Sequence, residues 1–157
     1  MNNIKYIQAT AEHIPLLVDS RVDFLAEYWG KPEAPVEAKL REELRRFFET
    51  EIPAQSYITW LAFDEAKMIS IGGMKLIRKP GSFRLPDGMS GYIMNMYTLP
   101  DYRRQGIATE ILHRLMDTGK ALGIKMFELH ATREGEPLYT KDGFEFHEEP
   151  SYRRFVW

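Results

Sequence analysis

Residues 91–131 contain a strand pattern, a helix pattern and a second strand pattern in direct succession. The segment 91–98 is rich in aromatic and β-branched residues, and apolar residues over 107–122 then recur about once per helical turn. Gly123 lies where the helix should end, and 124–131 is again strand-like. A strand–helix–strand unit is typical of parallel strands joined by a right-handed crossover. We therefore expect a parallel or splayed strand pair inside an α/β fold.

The rest of the chain predicts further strands and helices around this unit. Amphipathic patterns indicate helices over 14–29 and 36–48, and a short helix is expected over 136–141. Strand patterns occur at 4–7, 57–63, 68–71, 144–147 and 151–157, and Gly72-Gly73 suggests a bulge or a close backbone approach. The predicted order is β-α-α-β-β-β-α-β-α-β-β. We expect one mixed-sheet α/β (α+β) domain over residues 1–157.

Composition excludes several classes of function. The 157 residues carry a net charge of −2 and include no cysteine. Disulfides, thiolate metal sites and a cysteine nucleophile are therefore excluded, and we expect no metal. The nearly balanced charge gives no field that would attract nucleic acid or an anionic membrane. The first seven residues lack the basic and apolar regions of a signal peptide, so we expect a cytoplasmic protein.

The segment 100–108 lies between a predicted strand and the first turn of a predicted helix. Unpaired backbone N–H groups at a helix start bind anions, and Gly106 would let a phosphate approach the backbone. Arg103 and Arg104 add positive charge at the rim. The segment lacks the Gly-Lys-Ser/Thr ending of a Walker A motif. It also lacks the Gly-x-Gly-x-x-Gly spacing of a dinucleotide-binding loop. It therefore predicts a pyrophosphate cradle of another kind, although an ordinary basic strand–helix turn would explain it equally well.

Two segments, in this order and spacing, resemble motifs of the GNAT superfamily of N-acetyltransferases. Residues 103–108, Arg-Arg-Gln-Gly-Ile-Ala, are similar to its Gln/Arg-x-x-Gly-x-Gly/Ala pyrophosphate loop. Residues 138–144, Leu-Tyr-Thr-Lys-Asp-Gly-Phe, are similar to its Leu-Tyr-x-x-x-Gly-Phe element. The order of elements also resembles the family over essentially the whole chain. The resemblance implies a GNAT-like fold and an acetyl-CoA-dependent N-acetyltransferase.

The resemblance also implies where acetyl-CoA lies. Its pantetheine arm would enter between the splayed strands, beside Met96, Tyr97 and Thr98. Its pyrophosphate would meet the backbone N–H groups of Arg104, Gln105, Gly106, Ile107 and Ala108, with Arg103 at the rim and Thr109 at the margin. Tyr139 matches the family's proton donor to the departing thiolate, although packing under the short helix would also explain an aromatic residue there. Thr132 stands where many members carry an Asn that contacts the cofactor arm, so this contact is in doubt.

The base that takes the acceptor's proton is harder to assign. Many members carry a Glu on the splayed strand, whereas this chain has Asn95, which cannot accept a proton at neutral pH. Histidine is a residue type that often serves as a base, which makes His130 a candidate, but a hydrogen-bonded structural histidine is the other interpretation. A relay through water is a third interpretation. For the tetrahedral oxyanion, a strand-end N–H such as that of Tyr97 is the expected donor.

The acceptor should meet the first two helices, as it does in the family. Tyr28 and Trp29 could form a wall of the acceptor pocket, and Asp23 or Glu27 could pair with a cationic amine. Asn95 and Tyr97 share one strand face by alternation and would line the same pocket. We expect a small-molecule or peptide amine as acceptor.

Two further questions stay open at this stage. A non-catalytic acyl-CoA sensor is the alternative function, because Asn95 replaces an acidic residue. The segment 152–157 could cover the site or pair with a second subunit, so a homodimer is also open.

Overall fold

The computed structural model describes residues 3–157. Five strands are formed, β1 (Ile4–Gln8), β2 (Tyr57–Asp64), β3 (Lys67–Arg78), β4 (Met89–Thr98) and β5 (Phe127–Leu129). Four α-helices accompany them, α1 (Ile14–Trp29), α2 (Ala34–Glu51), α3 (Ile107–Ala121) and α4 (Glu136–Lys141), and short 3₁₀ turns span Ala11–His13 and Pro100–Tyr102. Within the described chain, no helix is both long and apolar enough to cross a bilayer.

The strands form one mixed sheet in the order β1-β2-β3-β4-β5. The first four pair antiparallel, whereas β5 runs parallel to β4 over three residue pairs that end at Ile93 and Leu129. Beyond that point β4 continues to Thr98, and no residue in the described range 3–157 pairs with it on its β5 side. The expected α/β class and splayed parallel pair are both confirmed.

Each face of the sheet is covered by helices with their own apolar cluster. The cluster that includes α3 and α4 comprises Ile58, Ala62, Ile69, Met74, Ile93, Ile107, Ile111, Leu112, Leu115 and Tyr139. The cluster that includes α1 and α2 comprises Ala9, Ile14, Leu17, Val18, Phe48, Tyr57, Leu61 and Ile71. Both clusters are built from helix positions at 3.6-residue spacing and mostly from alternate strand positions. Ile69 and Ile71, two residues apart on β3, lie in different clusters because the β2–β3 register shifts beside them.

A bulge interrupts the pairing of β3 and β4. Ile71 pairs with Tyr97, but Gly73 pairs with Met94, so that Asn95 and Met96 together lie opposite Gly72. Asn95 adopts a left-handed conformation, with φ of 56°. A Cβ on Gly72 would lie 2.5 Å from Ile111 Cγ2 on α3, so only glycine permits this close approach. The irregularity expected at Gly72-Gly73 is confirmed, with its extra residue on β4.

The last two predicted strands, 144–147 and 151–157, are not formed. Residues 142–157 contain neither a strand nor a helix. A strand requires backbone hydrogen bonds to a neighbour, and strand-like composition cannot supply that neighbour. Among residues 3–157, the backbone hydrogen bonds end at Phe144 N to Tyr139 O, 3.0 Å. The predicted order therefore holds for nine elements and fails for the final two.

Candidate active site

A cavity of about 1450 Å³ opens where β4 and β5 separate. Its walls come from α1, the exposed end of β4, the turn before α3, the first turn of α3, and the segment from His130 into α4. Pockets for a single small ligand usually enclose ~300–1,000 Å³, so this cavity is large enough for a long ligand and a second reactant.

The turn before α3 presents a row of free backbone donors. The N–H groups of six consecutive residues, from Arg104 to Thr109, have no acceptor among residues 3–157. The left-handed conformations of Arg104 (φ 63°) and Gly106 (φ 82°) turn the chain into α3. A Cβ placed on Gly106 would have no atom within 4 Å, so the backbone there faces open space. Such a row at a helix N-terminus fits a pyrophosphate.

Side chains contribute less to this cradle than the sequence suggested. Arg103 is already held within the chain, because its Nε donates to Thr98 O at 2.8 Å. Gln105 folds back and donates to Asp101 O at 3.1 Å. Ile107 is buried and anchors α3 in the core. The groups of this turn that are left unengaged are therefore mainly the backbone N–H groups, together with the side chain of Arg104.

The exposed end of β4 supplies backbone groups to the gap. Met96, Tyr97 and Thr98 line the cavity beyond the last pair with β5. Leu99 N donates to Ile69 O on β3 at 2.9 Å. Because donors alternate from side to side along a strand, the N–H of Tyr97 also points to β3, and that of Thr98 points into the gap. The N–H of Tyr97, which was the expected oxyanion donor, therefore points away from the gap.

Tyr139 on α4 lines the cavity from the opposite side. Its ring is buried and packs edge-on against Phe144, with centroids 5.9 Å apart. Its hydroxyl has no hydrogen-bond partner among the described residues. Burial raises the pKa of this hydroxyl, so it holds its proton at neutral pH. The packing and proton-donor interpretations are therefore compatible.

Asn95 is buried beneath the surface of the site. It is 7% exposed, and its Oδ1 has no partner among the described residues. The bulge places it close to the buried hydroxyl of Tyr57, whose pKa is raised by burial, while Thr59 and Asn95 oppose the rise. Asn95 therefore borders the cavity but presents little surface to an acceptor.

His130 lies at the rim of the cavity, just after β5. It is exposed, and its Nδ1 is 2.5 Å from the hydroxyl of Tyr92 on β4. Burial raises the pKa of Tyr92, Glu128 adds to the rise and Arg153 opposes it. His130 is thus a hydrogen-bonded residue, but at the mouth of the site rather than in the core beneath it.

The α1 wall is organised around one hydrogen-bonded trio. Tyr97 donates from its hydroxyl to a carboxylate oxygen of Glu27, and Arg103 reaches the other oxygen at 3.3 Å. These hydrogen bonds, that from Tyr97 first, lower the pKa of Glu27. Burial, with help from the carboxylate, raises the pKa of Tyr97 to about 12. The site therefore contains a carboxylate that stays ionised beside the end of β4.

Trp29 and Thr132 differ in their relation to the cavity. Trp29 is 78% exposed at the end of α1 and stacks edge-on against Tyr28, but only Tyr28 of the two lines the cavity. Thr132 lines the cavity, yet its Oγ1 accepts the N–H of Gly135 at 3.1 Å. Its hydroxyl oxygen therefore stabilises the turn into α4, and its O–H donor remains available to a ligand.

Sequence reasoning placed Arg21 in the acceptor region but missed other wall residues, among them Phe24 and Tyr92. Arg21 and Phe24 face the cavity from α1, and Tyr92 supports His130 from β4. Arg21, Phe24 and Tyr28 recur at helical spacing on one face of α1, which was the available signal. Across residues 3–157, no three His, Asp or Glu side chains come together as metal ligands would.

Comparisons with known proteins agree with this geometry. A family model described as an acetyltransferase (GNAT) domain matches residues 30–157. Among curated proteins no significant match is found. A predicted acetyltransferase from Clostridium acetobutylicum, solved with acetyl-CoA, is 30% identical with a TM-score of 0.87, and 96% of each chain is covered.

More distant solved structures share the fold. A GCN5-related N-acetyltransferase from Ralstonia eutropha is 24% identical, with a TM-score of 0.83, over 97% of this chain and 99% of that one. A glucosamine-6-phosphate N-acetyltransferase from Arabidopsis thaliana is 18% identical, with a TM-score of 0.70, over 98% and 99%. Since the family model covers most of the chain, this chain belongs to the GNAT family of acetyl-CoA-dependent N-acetyltransferases.

Proposed function

We propose that this protein transfers an acetyl group from acetyl-CoA to a primary amine of a small molecule or peptide, by direct attack of the amine. The observation that carries the proposal is the row of six free N–H groups at the start of α3, which borders the same cavity as the Tyr139 hydroxyl. One end of the cavity can hold a pyrophosphate, and the other presents a proton donor and a carboxylate.

On the donor side, the backbone would do most of the binding. The N–H groups from Arg104 to Thr109 would hold the pyrophosphate, and the unpaired end of β4 would hydrogen-bond the pantetheine arm. The N–H of Thr98 points into the gap and is suited to stabilise the oxyanion. The relative from Clostridium acetobutylicum was solved with acetyl-CoA, which supports the same donor here.

Tyr139 acts as the general acid in this proposal. As the amine nitrogen forms its bond to the acetyl carbon and the carbon–sulfur bond breaks, the thiolate takes the hydroxyl proton of Tyr139. A tyrosine with an ordinary or raised pKa is protonated at neutral pH and is reasonably matched to a thiol. A neutral amine loses one proton as the amide forms, and this proton makes good the one that Tyr139 gave to the thiolate. An amine that arrives protonated must first lose a further proton to become a nucleophile, so the balance requires a proton acceptor.

We propose that His130 is the proton acceptor and that the proton reaches it through water at the mouth of the cavity. Its exposed ring lies on the rim, and the Tyr92 hydroxyl fixes its orientation. Asn95 cannot take a proton, and its burial suits it to shape the bulge in β4 instead. Relay by water alone is the competing route, and a pH–rate profile of His130→Gln separates the two.

The acceptor in this proposal is an amine that carries a positive charge before it reacts. Glu27 supplies an ionised carboxylate on the α1 wall, and Phe24 and Tyr28 add aromatic faces beside it. Cations are attracted both to a carboxylate and to such faces. This chemistry fits amines such as amino sugars, polyamines or peptide amino groups.

The test begins with titration calorimetry of acetyl-CoA, CoA and ATP. Micromolar binding of the first two, with ATP much weaker, is the expected result. Release of CoA thiol is then followed over a panel of amines, and the absence of cysteine in the chain removes the protein's own background. Failure to bind CoA would overturn the proposal.

The alternative, a non-catalytic acyl-CoA sensor, is favoured by the absence of an ionisable side chain at Asn95. A sensor would use the same phosphate cradle, so this alternative predicts the same binding of acetyl-CoA and CoA. Thiol release above the uncatalysed rate, lost in Tyr139→Phe, would exclude it.

A further inference from the structure

Arg21 on α1 is a charged wall residue that the proposed function leaves unused. It is partly buried and lines the cavity. Among residues 3–157, its guanidinium takes part in no hydrogen bond and no ion pair. The guanidinium carbon instead lies 5.9 Å from the centre of the Phe24 ring. A guanidinium that lies over an aromatic face keeps its N–H donors free for another partner.

The acidic side chains of the cavity wall leave this guanidinium without a counter-ion. They are Glu27, Glu134 and Asp142. Within the described part of the chain, none of them lies at ion-pair distance from Arg21. Two of them belong to the wall around α4. The third, Glu27, already accepts hydrogen bonds from Tyr97 and Arg103.

The other acidic residues of α1 do not compensate Arg21 either. Asp19 pairs with Arg41 of α2 at 2.6 Å. Asp23 is exposed and does not line the cavity. On the α1 side of the cavity, the two guanidinium groups of Arg21 and Arg103 therefore face one carboxylate. An ammonium ion alone would add to this positive charge, whereas an amine that carries its own anion would not.

The charge of Arg21 acts at the floor of the cavity and not at the phosphate cradle. Burial raises the pKa of the Tyr57 hydroxyl, and Arg21 opposes this rise, after Thr59 and Asn95. Asn95 lies beside that hydroxyl and borders the cavity. The guanidinium is therefore close to the bulge in β4, whereas the free N–H groups for the pyrophosphate lie at the start of α3.

Arg21 and Glu27 are close enough together to hold one small molecule. They are separated by about 9 Å along the axis of α1. Phe24 lies between them in sequence, and its ring is 5.5 Å from the ring of Tyr97, whose hydroxyl binds Glu27. A carboxylate has about four lone-pair sites, so Glu27 can accept an ammonium N–H beside its two present donors. This side of α1 therefore offers one cation site and one anion site.

We propose that the acceptor is a small zwitterionic amine, whose ammonium group binds at Glu27 and whose carboxylate or phosphate is held by Arg21. Arginine suits both anions, because its planar guanidinium can donate two parallel N–H bonds to either. This inference rests on the proposed function and narrows its acceptor class, since a polyamine has no anion to offer. Arg21 is then the residue that determines specificity.

Matched pairs of acceptors test the proposal in the assay of CoA thiol release. Each of the common amino acids is compared with its C-terminal amide, and phosphoethanolamine with ethanolamine, while spermidine represents amines without an anion. The acceptor with the highest kcat/KM should carry an anion, and its counterpart without the anion should be slower by about tenfold or more. The carboxylate and phosphate pairs show which anion is used. A highest kcat/KM for an amine without an anion would contradict the proposal.

Variants of Arg21 test whether its guanidinium causes this preference. Arg21→Gln should remove most of the difference within the preferred pair, and Arg21→Lys should keep part of it, because the charge remains but the fork of donors is lost. Arg45→Gln is the matched control, since it removes the same charge from an exposed position on α2 outside the cavity, and it should keep the full difference. A difference that persists in Arg21→Gln, or an equal loss of acetyl-CoA binding in that variant, would overturn the proposal.

A binding measurement separates this inference from the proposed function. The same pairs are titrated by calorimetry into the protein saturated with CoA, which has no acetyl group to transfer. Selective binding of the anion-bearing member, lost in Arg21→Gln, would support the anion site even if no thiol were released, and only the proposal of acetyl transfer would then fail. Thiol release without such selectivity would leave acetyl transfer in place and exclude the zwitterion, and so would binding of neither member of any pair.

Discussion

The hydroxyl of Tyr97 on β4 donates a hydrogen bond to the carboxylate of Glu27 on α1, across a separation of 70 residues in the chain. The contact ties the wall that should bind the acceptor to the strand that should bind the donor. Arg103 joins the same carboxylate and stacks over the Tyr97 ring at 5.6 Å, so the turn leading to the phosphate cradle is part of the same unit. The two halves of the site are therefore mechanically connected.

Removing the charge at this contact should weaken acceptor binding. In Glu27→Gln we expect the KM of a cationic amine to rise about tenfold or more, because a charge-assisted hydrogen bond is lost. The KM of acetyl-CoA should change little. Steady-state kinetics with each substrate varied in turn checks both expectations.

Asp23→Asn is the matched control for this variant. Asp23 is exposed one helical turn earlier on α1 and does not line the cavity, so its charge should not matter to the acceptor. Equal rises in the amine KM for both variants would show only a general effect of net charge.

Removing the Tyr139 hydroxyl should slow turnover more than it weakens binding. Loss of a general acid typically costs ~10²–10⁴-fold in rate. In Tyr139→Phe we expect a fall in kcat of at least about 10²-fold, while the Kd of acetyl-CoA by calorimetry stays within a few-fold. The ring remains to pack against Phe144, so the fold should persist.

Tyr6→Phe, on β1 at the other end of the sheet, controls for the loss of any half-buried tyrosine hydroxyl. If Tyr139→Phe keeps the wild-type kcat, Tyr139 is a packing residue and another group protonates the thiolate.

Local patterns allowed much of the fold and the donor half of the site to be predicted. The helix of residues 107–121 and its preceding turn are contiguous in sequence, so their spacing carries the information. The splayed pair followed from the strand–helix–strand order and handedness. The cradle and Tyr139 could be predicted as site candidates for the same reason, because each lies within one short motif.

The features that sequence missed depend on distant contacts or on extra backbone residues. The Glu27–Tyr97 hydrogen bond joins segments 70 residues apart, and the Tyr92–His130 pair spans 38. The burial of Asn95 follows from a bulge, which strict alternation cannot predict. The final strands were predicted from composition, whereas a strand exists only when a neighbour pairs with it.

The conformation of Gly106 gives a test of the cradle. A side chain at φ of 82° is strained, so Gly106→Ala should lower the free energy of unfolding by about 1 kcal/mol. Its methyl group would also enter the open space where the pyrophosphate should lie. We therefore expect weaker acetyl-CoA binding by calorimetry.

Gly123 provides an internal control, since it has φ of 86°, open space where an added methyl group would lie, and a position at the other end of α3. Gly123→Ala should cost similar stability in thermal unfolding but leave the Kd of acetyl-CoA unchanged. If both variants bind equally well, the turn before α3 is not the phosphate cradle.

The ion pair between Glu51 and Lys75 should make stability depend on pH. Lys75 Nζ lies 2.6 Å from Glu51 Oε2, and hydrogen bonds from Lys75 and then Ser56 lower the pKa of Glu51 from 4.5. A carboxyl whose folded-state pKa is depressed stabilises the fold above its unfolded pKa, and this contribution disappears as the pH falls through the folded value. Glu51→Gln should therefore be less stable than the wild type near pH 7, by about 1 kcal/mol, and the gap should close well below pH 4.5. Urea unfolding of both proteins, near pH 7 and well below pH 4.5, measures this difference in the free energy of unfolding. A difference that stays constant with pH would assign the loss to packing instead of charge.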